Sequence, residues 1–165
     1  MLQKTRGRPR AFDRDKALLD AIDVFWEKGY DGTSMKDLTE AMGIKPPSLY
    51  ATFGDKHSLY LQAIDRYTSG ESCAPLEAFE GESDIYKAVV AFMNAVIDNA
   101  TQKGNGTLGC FLSSCVATSA GVVDGAQSRL KQAIKKTDIR IAKRFDVEKA
   151  SGHLAADFPS MERAR

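Results

Sequence analysis

Cysteine, histidine and tryptophan are scarce in this 165-residue chain, and long apolar runs are absent. Its three cysteines, Cys73, Cys110 and Cys115, are odd in number and lack the paired spacing of a metal centre, so they read as free thiols of a reducing compartment. Two histidines and no glycine-rich phosphate loop leave no catalytic constellation, which argues against an enzyme and against a metal or other cofactor. No apolar segment reaches the ~18 residues needed to cross a bilayer. The opening "MLQKTRGRPR" lacks the apolar stretch of a signal peptide, so the expected location is cytoplasmic. Period-two alternation is almost missing, which excludes a sheet as the main architecture. A net charge of +1 announces no polyanionic partner. Its distribution says more, because the first ten positions hold no acid while Lys4, Arg6, Arg8 and Arg10 are basic. Such an arm is either solvated or laid along nucleic acid.

What remains is helical patterning. Asp13 suits an N-cap, Leu18, Ala21, Ile22, Phe25 and Trp26 form one stripe, and Gly29 suits a stop. A short second helix starts at Thr33 or Ser34 and ends before Gly43, with Met35, Leu38, Ala41 and Met42 inward. A third spans Pro46 to Phe53, and a fourth runs from about Asp55 to Thr68 with Leu59, Ile64 and Tyr67 apolar. "SGESCAPLEAFEGES" then reads as a link. Beyond it lie an apolar helix, "DIYKAVVAFMNAVIDNA", a break at "QKGNG", a small-residue segment, "LGCFLSSCVATSAG", and a long amphipathic helix with Leu130, Ile134, Ile141 and Phe145 on one side.

The informative stretch is "GIKPPSLYATFGDK", from Gly43 to Lys56. The first turn of a helix has N–H groups without internal partners, and proline lacks that N–H and arrives with a helical φ. Pro46 and Pro47 therefore open a helix too short to stand alone. Two short helices joined by a glycine turn make a helix-turn-helix, whose second helix enters the major groove. Lys45, Pro46, Pro47, Ser48, Ala51 and Thr52 then face bases or backbone, with lysine able to donate to guanine, an apolar proline face able to meet a thymine methyl, and the Ser48 and Tyr50 hydroxyls suited to phosphates. Lys56 at the next helix start, and Thr33 or Ser34 at the second, fit anion contacts.

The combination of Phe25-x-x-x-Gly29-Tyr30, Thr33-Ser34, Leu38, Ala41, Gly43-Ile44, Ser48-Leu49-Tyr50, Phe53 and Lys56-x-x-Leu59 resembles the tetracycline-repressor family of bacterial transcription regulators, over about residues 10 to 66. The resemblance implies an all-α homodimer. A three-helix DNA-binding head, residues 1–54 with the arm of Arg6, Arg8 and Arg10, would join a helical body, residues 55–165, that binds a small molecule and dimerises. It also implies double-stranded operator DNA of pseudo-palindromic sequence as partner, and repression relieved by an effector. "GTLGCFL" is similar to a segment of part of that family, and Phe92, Met93, Val96, Cys110, Phe111 and Leu112 are the candidate pocket lining. The C-terminal "DVEKASGHLAADFPSMERAR" departs from the two long closing helices of the family, so the expectation is a body whose last part is incomplete. A different class stays open beside this one: a helical redox sensor or small-molecule carrier built around the cysteines.

Overall fold

The computed structural model describes residues 12–69, 73–101 and 109–165. The arm residues Arg6, Arg8 and Arg10 and the expected break at 102–106 lie outside them. The described residues form helices and no strand. None of these helices is long and apolar enough to cross a membrane.

Helix α1 spans Arg14–Gly32, with the Asp13 carboxylate accepting from the N–H groups of Asp15 and Lys16. Gly29 stands at φ 71° and ψ 170° and breaks the helical path without ending the element, so one more turn follows the bend. α2 spans Met35–Ala41, α3 Pro46–Phe53 and α4 Lys56–Ser69. Each buries a narrow stripe: Leu38 from α2, Leu49 and Phe53 from α3, and Leu59, Tyr60, Ala63 and Ile64 from α4. Tyr60 and Ala63 join the expected α4 residues, whereas Tyr67 is half-buried, and Ala41, expected inward, is exposed.

The stretch expected to be a mere link contains α5, Ala74–Gly81. Pro75 sits in its first turn, where a missing N–H does no harm. Its Phe79 meets Phe92 and Phe145 edge to face, at ring-centroid distances of 6.0 and 5.8 Å. α6 is Ile85–Thr101. A π-helical turn, Leu112–Val116, runs into the short α7, Ala117–Ser119. α8, Ala126–Ala150, continues past the expected end at Phe145, and α9 is Ser160–Arg163. On α8 it is Ala126, Ala133, Ala142 and Glu148 that are buried, while Ile134 faces solvent.

Two hydrophobic clusters result. The larger joins α1 to α4 with Phe111, Cys115, Val116, Val123 and Ala126. The smaller consists of Phe79, Ile85 and Ala88, flanked by Phe92, Ile141 and Phe145. Residues on both sides of the expected head–body boundary at 54/55 therefore share one core.

Candidate nucleic-acid interface

α3 is fixed from below. Leu49 is fully buried and Phe53 nearly so. Phe53 also carries the Phe12 ring at 6.1 Å and the Arg14 guanidinium 5.2 Å above its face. With one side anchored, the other points outward: Lys45, Pro46, Pro47, Ser48, Tyr50 and Ala51 are exposed, and Thr52 is half-buried. Tyr50 keeps 52% of its surface open, so its ring is not part of the packing beneath α3. Lys45 is the N-cap residue and its side chain makes no capping bond, which leaves the ammonium at the leading end of the helix.

The two helix starts expected to receive anions are already occupied from within the chain. At α2, Ser34 and Asp37 cap each other: the Asp37 N–H donates to Ser34 Oγ at 3.1 Å, and the Ser34 N–H donates to Asp37 Oδ2 at 2.8 Å. The Lys28 ammonium donates to Asp37 at 2.5 Å, and together with the Ser34 donors it holds that carboxyl far below the usual carboxylate range. At α4, the Asp55 carboxylate takes the Ser58 N–H at 2.7 Å, so the local anion is the protein's own.

Two expected contacts need correction. Thr33 is only 2% exposed, and its hydroxyl donates to the Gly29 carbonyl at 2.6 Å, closing the end of α1. Its side chain is therefore not offered to a phosphate. Lys56 folds back beneath the head. Its Nζ donates to the carbonyls of Tyr30 and Thr33, both at 3.0 Å, and lies 4.4 Å from the Tyr30 ring centroid. This ammonium pins the α1–α2 corner to the start of α4.

The six candidate pocket residues are not brought together. Met93 and Val96 are exposed, Phe92 packs on the smaller cluster, and Phe111 and Leu112 belong with the larger. Half-buried Cys110 accepts a hydrogen bond from the Tyr67 hydroxyl at 3.6 Å. A depression of about 410 Å³ lies elsewhere on α6, lined by Glu82, Tyr86, Lys87, Val90, Ala91 and Asn94. Cys115 is 1% exposed, donates to the Phe25 carbonyl at 3.1 Å, and has its thiol pushed up by burial, so it is a packed and unreactive group. All three cysteines are free thiols. Among the described residues no His/Cys/Asp/Glu cluster could hold a metal ion.

Sequence reasoning missed the internal caps. Ser34 followed at the third position by Asp37 was the available signal. Nothing local marked the Lys56 contacts, which reach 23 and 26 residues back along the chain.

Residues 18–63 match the family described as bacterial regulatory proteins, tetR family. The HTH-type transcriptional repressor ComR of Escherichia coli (strain K12) is 40% identical over 121 residues, 72% of this chain and 57% of its own length. The HTH-type transcriptional repressor BdcR of the same organism is 31% identical over 106 residues, 64% of this chain and 53% of its own. This chain thus spans about half the length of these curated relatives. Among solved structures, a cysteine mutant of the TetR family transcriptional regulator CifR, complexed with 26-bp double-strand operator DNA, superposes with a TM-score of 0.77 at 33% identity, covering 96% of this chain and 82% of its own. Reduced NemR of E. coli gives 0.75 at 14% identity, over 92% and 79%, a likeness of fold alone.

Proposed function

This chain belongs to the tetracycline-repressor family of bacterial regulatory proteins, and we propose that it is a transcriptional repressor whose head binds operator DNA through the exposed face of α3. The observation that carries this is the outward presentation of Lys45, Pro46, Pro47, Ser48 and Tyr50 from a helix anchored by Leu49 and Phe53. The likeness to operator-bound CifR at 33% identity supports it. Lys45 meets a guanine acceptor or a phosphate, the Tyr50 hydroxyl meets a phosphate, and the Ser48 hydroxyl meets a phosphate or a base edge. Ser34, committed to the Asp37 cap, acts by fixing the start of α2, Thr52 stands at the rim, and Arg6, Arg8 and Arg10 extend the contact along the backbone or into the minor groove. Lys56 and Thr33 act indirectly, by holding the corner that positions α2 and α3.

The protein acts in the cytoplasm as a homodimer on a pseudo-palindromic site, and a small molecule releases it. Release requires the effector to bind better to a head spacing that fits successive major grooves poorly, since a ligand with no such preference shifts nothing. Sequencing of genomic fragments retained by the purified chain tests the proposal. The expected result is a small set of sites with inverted half-sites about one helical turn apart. Retention that is uniform across sequences and vanishes with added salt would overturn it.

A further inference from the structure

The sequence of α3, "PPSLYATF", contains no arginine, lysine, asparagine, glutamine, aspartate or glutamate. Those are the side chains that make the bidentate or charge-assisted pairs to guanine, adenine and cytosine edges in the major groove. Leu49 and Phe53 point inward. At 100° per residue, the direction opposite them is held by Pro47, Ser48 and Ala51, all exposed. That face offers ring methylenes, one methyl and a single hydroxyl. The major-groove feature that rewards apolar contact is the thymine C5-methyl group. Small side chains also let the helix backbone sit close to the groove floor, where those methyls project.

We propose that the head reads its operator chiefly through thymine C5-methyl groups seated against Pro47 and Ala51, with the Ser48 hydroxyl as the directional hydrogen-bonding group between them. On the face of α3 opposite Leu49 and Phe53, hydrogen-bond readout is confined to that one hydroxyl, so discrimination by this face is a matter of which base pairs carry a methyl in reach. The charged neighbour, Lys45, lies at the N-cap, at the edge of the apolar face. The inference rests on the reading of the head as an operator-binding surface.

The test uses the 165-residue chain and a duplex recovered by the genomic selection, with each thymine replaced in turn by deoxyuridine, which lacks only the methyl. Removing a contacted methyl is expected to weaken binding about fourfold, the equivalent of ~0.8 kcal/mol for one buried carbon. The same change in both half-sites should weaken it about fifteenfold, and the salt slope should stay unchanged, because no phosphate contact is lost. Ala51→Gly should abolish the deoxyuridine penalty at one position, and Pro47→Ala should reduce it at another, with thermal unfolding confirming that each variant is folded. A duplex fully substituted with deoxyuridine that binds within about twofold of the parent overturns the inference. So does a penalty that neither variant moves. If instead no duplex is retained above salt-sensitive background, the operator-binding reading itself fails, and this inference with it.

Discussion

Replacing Lys56 by methionine keeps the aliphatic stem and removes the ammonium. In the folded protein that ammonium serves the Tyr30 and Thr33 carbonyls, both at 3.0 Å, and lies against the Tyr30 ring. A hydrogen bond from a charged donor contributes about 1.5–3 kcal/mol when its partner is left desolvated. Both bonds here are only part-buried, so the carbonyls can rehydrate and the lower end applies. The ring contact adds about 0.5–1 kcal/mol. The expected loss is therefore about 3.5–4 kcal/mol, against a total stability of about 5–15 kcal/mol for a domain. In urea, with a slope of about 2 kcal/mol per molar, the midpoint should fall by about 1.8–2 M. DNA affinity should be measured at several salt concentrations under conditions where the variant is fully folded. If Lys56 is a structural clamp, the slope of log K against log salt stays at the parent value. A midpoint within about 0.3 M of the parent, together with a slope shallower by about one, would refute the clamp and return Lys56 to a phosphate.

Tyr50→Phe removes one exposed hydroxyl, and should weaken all duplexes alike by about two- to tenfold without altering the salt slope, as fluorescence anisotropy on matched and mismatched operators would check. Phe111→Ala empties the centre of the ring cluster made with Trp26, Tyr60 and Tyr67, and should cost about 3–5 kcal/mol in urea unfolding. The fluorescence of Trp26 should follow the same transition as the loss of helix, since the core is shared across the head boundary. Acid should destabilise the head, because the Asp37 and Asp55 carboxyls are depressed in the folded state, the first chiefly by Lys28 and the second by the Ser58 N–H. A depressed carboxyl contributes stability above the ordinary value of 3.8 and loses it as pH falls below that. Urea midpoints followed from neutral pH into acid should therefore fall below about pH 4, and Asp37→Asn should flatten that limb; an unchanged limb would discharge Asp37 from the role.

Local chemistry was legible in the sequence wherever it decided the outcome. The Asp13 cap, the span of α3 and the two prolines that open it were all visible, because each is settled within a few residues, whereas Gly29 was legible as a stop and is a bend that α1 passes. α5 was hidden although it obeys the same proline rule as α3. Glycine, serine and acid around Pro75 masked a helix whose stability comes from Phe79 against Phe92 and Phe145, partners far along the chain. The last turns of α8 were hidden for a related reason. Their inward residue is Glu148, a carboxylate held by Arg144 and by His153 Nδ1 at 2.7 Å, and no apolar periodicity can announce it. The DNA-facing set was legible as residue types but not as roles. Polar character alone does not separate an exposed serine at position 48 from the buried Thr33, or a free ammonium at Lys45 from one committed at Lys56. The six pocket candidates are not gathered in one place, because helical spacing gives a stripe and not its neighbours, and Phe92 and Phe111 lie in different clusters.

The path from body to head is also not the one that chain order suggests. α4 follows directly on the head and invites the role of a lever that tilts freely beneath it. Its side chains forbid that freedom. Tyr60 is fully buried, meets Phe25 and Tyr30 at 4.8 Å each, and shares a hydrogen bond with Ser119 Oγ at 2.7 Å. Gln62 donates to the carbonyls of Phe53 and Ser58, and Ala63 is fully buried. A glycine pair at Gln62 and Ala63 would therefore loosen the head core as well as the helix. Among the described residues, α8 contributes to both clusters. Near its start, the Arg129 guanidinium grips the Asp65 carboxylate of α4 at 2.7 and 3.1 Å. Further along, Arg140 grips Glu80 of α5 at 2.8 and 2.6 Å, and Arg144 donates to the carbonyls of Glu82 and Ser83. Between Arg129 and Arg140 the helix rises about 16 Å. A displacement of α5 or α6 by an effector would thus reach α4 through a stiff strut with an arginine clasp towards each end. The head and the 111–126 segment would respond as one packed body, because interdigitated side chains shift between discrete arrangements and do not deform continuously.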